Sequence, residues 1–221
     1  MTVIFKEDGH IYESLNEDLS KDNVKWTSVT SFVGLFKPKF NAEKQAKKSS
    51  KNKRSKWSGM TPKEILAAWD GESQRAIVYL KSLGICGQAD LVTIVNDQIH
   101  IIDYKTNKEI KEKGFTSWEG ITSKMYKPVS HLDDCNLNHY NLQLSLYAYI
   151  IKKHNPKLKI GKLQIQHVKF KKVGDNEHGY PITERNSQGE PVIDNIKIYT
   201  LPYLKDDVQN IIKWLKDNPQ C

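Results

Sequence analysis

Two β-branched segments joined by a two-residue turn constrain the fold of this chain more than any other feature. Residues 85–95 and 98–104 are rich in Ile and Val, which favour strands, and Asn96-Asp97 between them is a turn signal. The pattern predicts an antiparallel hairpin. A mostly apolar run at residues 139–154 is long enough for four helical turns and predicts a buried helix.

The other predicted elements surround this hairpin with helices and strands. A hairpin turning at Asp8-Gly9 begins the chain, followed by predicted helices at 27–36, 62–70 and 204–216 and strands at 75–80, 162–170 and 192–201. Residues 106–138 are polar and are expected to be irregular. Strands in the middle with helices before, between and after them predict a mixed α/β layer fold. Because no repeat or linker divides the sequence, we expect one domain over residues 1–221, with a loop or hairpin insertion at 172–191.

Positive charge is concentrated in residues 21–60, which carry eleven Lys or Arg and two acidic residues in a chain of net charge +8. Such a segment attracts polyanions such as DNA, because each neutralised phosphate releases counterions. The alternative is a solvated, mobile loop. Phe32, Phe36 and neighbouring aromatic residues either stack on unpaired bases or belong to the core. The densest part of the segment consists of Lys44, Lys47, Lys48, Lys51, Lys53, Arg54 and Lys56.

Composition and the cysteine pattern indicate the cellular compartment of the protein. No apolar run approaches the ~20 residues that cross a bilayer, and the first residues lack the basic-then-apolar pattern of a secretory signal. Cys86, Cys135 and Cys221 are widely spaced and form no CxxC pair, so we expect neither a disulfide framework nor a structural zinc site. The sequence therefore predicts a cytoplasmic protein without a membrane partner.

Acidic and basic side chains gather at one end of the predicted hairpin. Because side chains in a strand alternate between its faces, Asp103 and Lys105 should end the row of core residues that contains Ile99 and Ile101. Asp90 begins the paired segment at the same end, so the two carboxylates should lie close together. Adjacent carboxylates repel unless a cation lies between them, and hard oxygen ligands select Mg²⁺ or Mn²⁺. Two acids, a metal ion and a lysine are the components for hydrolysing a phosphodiester.

An acidic residue two positions before a lysine is a weak pattern by itself. It occurs again in Glu109-Ile110-Lys111, and the alternative interpretation is a salt bridge on an edge strand. The predicted helix adds support, because Gln143 and Tyr147 lie four residues apart and share a face. A buried Gln needs hydrogen-bond partners, which a carboxylate site, a phosphate or a neighbouring main chain would supply.

Three motifs in this order resemble the PD-(D/E)xK nuclease superfamily. They are Gly87-x-x-Asp90, Asp103-x-Lys105 at a strand end, and Gln143-x-x-x-Tyr147 in a helix. The chain is most similar to the RecB-like branch, in particular to phage-type exonucleases related to the mitochondrial genome maintenance exonuclease. The resemblance covers residues 24–216, with the specific motifs at 72–105 and 139–149. It implies a restriction-endonuclease-like mixed β-sheet flanked by helices.

The resemblance also implies roles for individual residues. Asp90 and Asp103 would bind the divalent ion, Mg²⁺ or Mn²⁺, helped by the backbone carbonyl of Tyr104. Lys105 would orient the attacking water and stabilise the charged phosphorane. The helix residues Gln143 and Tyr147 would position that lysine or the DNA backbone.

Residues outside the motifs complete the implied site. Glu72 is the nearest acidic candidate before the first strand, and Glu64 is the second choice. Thr30 would guard the entrance, while Thr106 and the lysines of the basic segment would contact DNA. The chain lacks the four cysteines with which some relatives hold an iron–sulfur cluster, so no cluster is expected.

The resulting expectation is a Mg²⁺-dependent DNA exonuclease, a hydrolase that acts on ends or single strands. The resemblance places it in phage DNA recombination or processing, hence in the cytoplasm of the host cell. Members of the branch usually carry a His-bearing helix before the first strand, and this chain has no His between His10 and His100. A nuclease-fold DNA-binding protein that no longer cuts is therefore a second interpretation, and a structure-specific endonuclease is a third.

Overall fold

The structure is a computed structural model, and it describes residues 3–6, 11–14, 27–36, 76–177 and 181–218. The chain divides into two compact units. The first unit comprises Met1–Pro38, Gln74–His167 and Ile198–Cys221, and the second comprises Lys39–Ser73 and Val168–Lys197. A single domain over the whole chain stays a prediction.

Short strands begin the first unit. An antiparallel hairpin joins β1 (Val3–Lys6) to β2 (Ile11–Ser14), as the Asp8-Gly9 turn signal predicts. A three-stranded sheet has the order β3-β5-β4 and consists of β3 (Thr27–Ser28), β4 (Ala76–Leu80) and β5 (Ile85–Ala89). In this sheet β3 runs parallel to β5, and β4 runs antiparallel to it.

A mixed four-stranded sheet carries the predicted hairpin. Its order is β11-β8-β7-β6, with β6 (Leu91–Val95), β7 (Gln98–Lys105), β8 (Lys159–Phe170) and β11 (Ile193–Leu201). The turn between β6 and β7 has φ of 49° at Asn96 and 58° at Asp97. Asn and Asp tolerate this left-handed conformation, which a two-residue hairpin turn requires. The antiparallel pairing of β6 with β7 and the parallel pairing of β7 with β8 make the sheet mixed.

The predicted continuous strand at residues 85–95 is wrong in one respect, because it is broken at Asp90. The part before the break, β5, pairs with β4, whereas the part after it, β6, pairs with β7. The Asp90 carboxylate accepts a hydrogen bond from the backbone N–H of Tyr104 at 2.8 Å. This side-chain bond replaces a strand-to-strand bond, because Asp competes for backbone donors and disfavours strands.

Helices pack on these sheets. They are α1 (Val29–Val33), α2 (Asn136–His154) and α3 (Lys205–Asp217). Ser28 caps α1, because its hydroxyl accepts the N–H of Ser31 at 3.0 Å. Helix α2 begins three residues before the predicted start, and α3 agrees with the prediction to within a residue. The mixed sheets and flanking helices confirm the predicted α/β fold class.

Aromatic residues in α1 and just after it belong to the core. Phe32 and Phe36 are both fully buried, and their ring centroids lie 5.6 Å apart in an edge-to-face arrangement. The Phe36 ring makes a similar contact with Trp214 of α3 at 5.1 Å. Of the two interpretations that the sequence left open for Phe32 and Phe36, stacking on bases is therefore excluded.

The second unit contains a small hairpin in the predicted insertion. Strand β9 (Lys172–Asp175) pairs antiparallel with β10 (Pro181–Thr183). The ammonium of Lys171 lies 2.8 Å from the carboxylate of Glu184. The hydrogen bond to Glu184 raises the pKa of Lys171, and the charge of the same carboxylate raises it further.

Several predictions fall outside the described residues. They concern the helix at 62–70, Glu64, Glu72 and the basic residues Lys44, Lys47, Lys48, Lys51, Lys53, Arg54 and Lys56. Within the part of the chain that the structure describes, none of the helices has both the length and the apolar character needed to cross a membrane.

Candidate active site

Strand β7 brings charged groups to the end of a row of core residues. Ile99 and Ile101 are fully buried, and Asp103 on the same face is only 3% exposed. Lys105, two residues later, is partly exposed where the strand ends, whereas Tyr104 lies on the opposite, solvent-exposed face. The alternation predicted from the sequence is confirmed.

Asp90 lies beside this strand end. The register of the β6–β7 pair places Leu91 opposite Ile102. One residue further from the Asn96-Asp97 turn, the same register brings Asp90 opposite Asp103. The hydrogen bond from the Tyr104 N–H to Asp90 Oδ2 ties the carboxylate to β7, between the two charged residues of that strand. The structure thus brings Asp90, Asp103 and Lys105 to one end of the hairpin.

Lys105 forms an ion pair with Asp103. Its Nζ contacts Asp103 Oδ2, and the Asp103 side chain is almost fully buried. The second acidic-x-Lys pattern is different: Lys111 Nζ lies 3.8 Å from Glu109 Oε1, and both side chains are 65% exposed. An exposed pair contributes about 0–1 kcal/mol, whereas a buried carboxylate depends on its cation. The burial of the Asp103 carboxylate therefore distinguishes the first acidic-x-Lys pattern from the second. The sequence alone does not make this distinction.

Tyr140 of α2 lies against the ammonium group. Lys105 Nζ is 4.7 Å from the centroid of the Tyr140 ring, within range of a cation–π interaction. Burial raises the pKa of the Tyr140 hydroxyl, and the charge of Asp103 raises it further, while a hydrogen bond with the Asn136 side chain lowers it. Tyr140 was not among the predicted site residues, although its position three residues before Gln143 places both on neighbouring faces of the helix.

Gln143 connects α2 to α1. Its Nε2 donates to the Tyr147 hydroxyl at 2.8 Å and to Thr30 Oγ1 at 3.5 Å. Tyr147 is buried, and Thr30 is exposed. Gln143 itself is half-buried, and its predicted need for hydrogen-bond partners is met by side chains rather than by the neighbouring main chain. The three residues form one polar contact between the two helices.

Gly87 in β5 makes room for this contact. A Cβ atom at this position would lie 2.6 Å from Tyr147 Cε1 and 3.2 Å from the Cβ atom of Val29. Both neighbours are fully buried and have little space to move. The Gly of the Gly87-x-x-Asp90 motif is therefore required by the close approach of the Tyr147 ring.

Replacing Gly87 by Ala is expected to destabilise the protein by about 1–3 kcal/mol, because the added methyl group overpacks the core at Tyr147. Urea unfolding measures this effect. Gly174→Ala is the control, since a Cβ there would have no atom within 4 Å. A Gly87→Ala protein as stable as the wild type would show that the ring is free to shift.

His167 of β8 was also missed by the sequence analysis. It lies opposite Lys105 in the parallel register, is buried, and donates from Nε2 to the backbone oxygen of Asn107 at 2.6 Å. This bond fixes the chain that follows Lys105, including the exposed Thr106. Alternation in residues 162–170 would have placed His167 on the core face, but only the register identifies its neighbour.

The donor atoms at the strand end suit a hard divalent cation. Asp90 and Asp103 offer carboxylate oxygens, and the Tyr104 peptide follows Asp103 and is hydrogen-bonded to Asp90. Among the described residues there is no group of three His, Cys, Asp or Glu side chains that could hold a metal ion. Two carboxylates and a carbonyl therefore make a partial site, and Glu72 lies outside the described part of the chain.

A family model for the PD-(D/E)XK nuclease superfamily matches residues 36–218, and no curated protein is similar enough to match. A crystal structure of a "Putative exonuclease" from Eubacterium rectale is similar, with 12% sequence identity, a TM-score of 0.38, and coverage of 93% of this chain and 85% of that one. The family match covers most of the chain, including Asp90, Asp103 and Lys105. The chain therefore belongs to the PD-(D/E)XK nuclease superfamily.

Proposed function

We propose that this protein is a metal-dependent deoxyribonuclease that hydrolyses phosphodiester bonds, working as an exonuclease on DNA ends or single strands. The observation that carries the proposal is the ion pair between the buried Asp103 carboxylate and Lys105 at the end of β7, with Asp90 tied to the same strand. The setting that the sequence resemblance implies is phage DNA recombination or processing in the host cytoplasm.

Asp90, Asp103 and the Tyr104 carbonyl would hold the Mg²⁺ or Mn²⁺ ion. Such an ion, when bound, polarises the phosphate and lowers the pKa of a bound water. The ion pair with Lys105 already offsets part of the cost of burying the Asp103 carboxylate. No iron–sulfur cluster has a part in this proposal.

Lys105 would hold the attacking water and stabilise the negative charge that develops on the phosphate. An ammonium group has three donors, so it can contact Asp103 and a water or phosphate oxygen together. The Tyr140 ring beneath Nζ limits the positions of the ammonium group, which favours a fixed geometry. Gln143 and Tyr147 would act as positioning residues through their contact with Thr30 at the entrance.

The test of the proposed function is release of nucleotides from end-labelled DNA. We expect release with Mg²⁺ or Mn²⁺, and we expect EDTA to abolish it because the carboxylates bind phosphate poorly without a cation. The absence of cleavage with either metal ion would favour the second candidate, a nuclease-fold DNA-binding protein. That candidate is motivated by the lack of His between His10 and His100.

Covalently closed single-stranded circles distinguish an exonuclease from a structure-specific endonuclease. An end-dependent enzyme is expected to leave the circles intact while it degrades the same sequence in linear form. Nicking of the circles would replace the exonuclease proposal with the endonuclease alternative, while metal-dependent hydrolysis would still stand.

A further inference from the structure

An exposed ribbon lies between β7 and α2 in the segment predicted to be irregular. The ribbon consists of residues 114–124, and its two sides meet in a bridge between Thr116 and Thr122. Backbone hydrogen bonds join Ser117 N–H to the Ile121 oxygen at 2.9 Å and Ser123 N–H to the Phe115 oxygen at 2.8 Å. Gly120 turns the chain with φ of 81°, which a glycine adopts without strain. The ribbon is therefore an ordered structure.

Large apolar side chains of this ribbon lie in solvent. Trp118 at the turn is 93% exposed, and Phe115 and Ile121 beside it are 76% and 66% exposed. Exposed Trp is uncommon, because burying the indole is worth several kcal/mol, and a cluster of exposed apolar groups usually marks a binding surface.

Both ends of the ribbon are anchored in the core. Ile110 before it and Met125 after it are buried. At its base, the Asp133 carboxylate accepts the Gly114 N–H at 3.1 Å and pairs with Lys124. The hydrogen bond to Lys124 lowers the pKa of Asp133, and the bond from Gly114 lowers it further, so this anchor stays ionised at neutral pH.

The base of the ribbon is connected to the candidate active site. Lys111 accepts the N–H of Leu137 at 3.1 Å and donates its own N–H to the Asn136 side chain at 3.3 Å. Tyr140, whose ring lies beneath Lys105, follows Asn136 by four residues in α2. From Gly114 to Trp118 the chain spans at most about 14 Å when extended. Trp118 therefore lies at the tip of a ribbon whose base contacts the helix that carries Tyr140, the residue beneath Lys105.

Charge in this segment favours a polyanionic partner. Residues 105–127 contain six Lys and three Glu, with the exposed aromatic side chains between them. Cations interleaved with exposed aromatic rings are typical of surfaces that bind single-stranded nucleic acid, because lysines contact phosphates while rings stack on bases.

We propose that Trp118 stacks on an unpaired base of a DNA strand whose backbone passes Lys105. The proposal rests on the proposed nuclease function, since that function supplies the strand. It assigns the ribbon as the surface that engages unpaired bases, and Phe115 and Ile121 as the apolar flanks of Trp118.

The test is the dissociation constant of a labelled single-stranded oligonucleotide, measured by fluorescence anisotropy in EDTA so that the strand stays intact. Trp118→Ala is expected to weaken binding about tenfold, because stacking on one base contributes that much or more, whereas Trp118→Phe retains most of the affinity. An oligonucleotide of abasic sites offers no base to stack on, so both variants are expected to bind it with the same affinity as the wild-type protein. Ile94→Ala, at another exposed apolar position, is the control.

Wild-type affinity of Trp118→Ala for the base-containing strand would overturn the proposal and leave a protein partner as the occupant of the ribbon. An equal loss for both oligonucleotides would also overturn it, since the effect would then not depend on bases. Cleavage is assayed separately with Mg²⁺. If Trp118→Ala weakens binding of the base-containing strand but the wild-type protein does not cleave DNA, only the nuclease function is contradicted. If the wild-type protein cleaves DNA but Trp118→Ala binds the strand normally, only the stacking is contradicted.

Discussion

Lys105→Ala is expected to reduce DNA cleavage by about 10²–10⁴-fold while DNA binding is retained, because the variant loses the group that orients water and stabilises charge on the phosphate. Nucleotide release from end-labelled DNA measures cleavage, and anisotropy measures binding. The matched control is Lys111→Ala, which removes a lysine from the second acidic-x-Lys pattern, where both side chains are exposed. We expect this control to cleave like the wild type.

The same substitution has a second expected effect, on stability. In Lys105→Ala the Asp103 carboxylate stays buried without its ammonium partner, which costs about 3–5 kcal/mol of unfolding free energy in metal-free buffer. Lys111→Ala should cost no more than about 1 kcal/mol, since its pair is solvated. Urea unfolding in EDTA distinguishes the two. Wild-type cleavage by Lys105→Ala would remove Lys105 from the mechanism, and equal stability would show that Asp103 does not depend on it.

Asp103→Asn is expected to lose DNA cleavage by at least about 10³-fold, because the variant keeps the shape of the side chain but loses the charge that binds a divalent cation. In Asp103→Asn the lysine loses its carboxylate partner, but Lys105 is already partly exposed to water. We therefore expect a smaller loss of unfolding free energy than in Lys105→Ala. Glu109→Gln is the control, because it neutralises an exposed carboxylate of the other pattern.

A second readout separates cation binding from catalysis. Mg²⁺ or Mn²⁺ should raise the melting temperature of the wild-type protein, since a ligand that binds only the folded state stabilises it. Asp103→Asn should lose this increase, whereas Lys105→Ala should retain it. An Asp103→Asn protein that is stabilised by metal ions as strongly as the wild type would show that the cation binds elsewhere.

Local patterns predicted the parts of the fold that depend on nearby residues. The Asn96-Asp97 turn and the alternation in β7 follow from backbone conformation and side-chain period, so the hairpin and the shared face of Asp103 and Lys105 were predictable. The four-residue spacing of Gln143 and Tyr147 likewise placed them on one side of α2.

Long-range packing determined what the sequence did not reveal. The break at Asp90 depends on a hydrogen bond to Tyr104, fourteen residues away, and an Asp within an apolar run does not reveal that partner. The contact of Tyr140 with Lys105 depends on how α2 packs against β7. The position of His167 beside Lys105 depends on the register of a parallel strand pair. Sequence spacing specifies none of these three.

The most direct test of the central claim is a crystal of the full chain soaked in Mn²⁺, examined by anomalous diffraction. The claim is that Asp90 and Asp103, brought together at the end of β7, bind one divalent cation beside Lys105. We predict an anomalous peak within about 2.0–2.6 Å of an oxygen from each carboxylate. A peak elsewhere with none between these two residues would contradict the account.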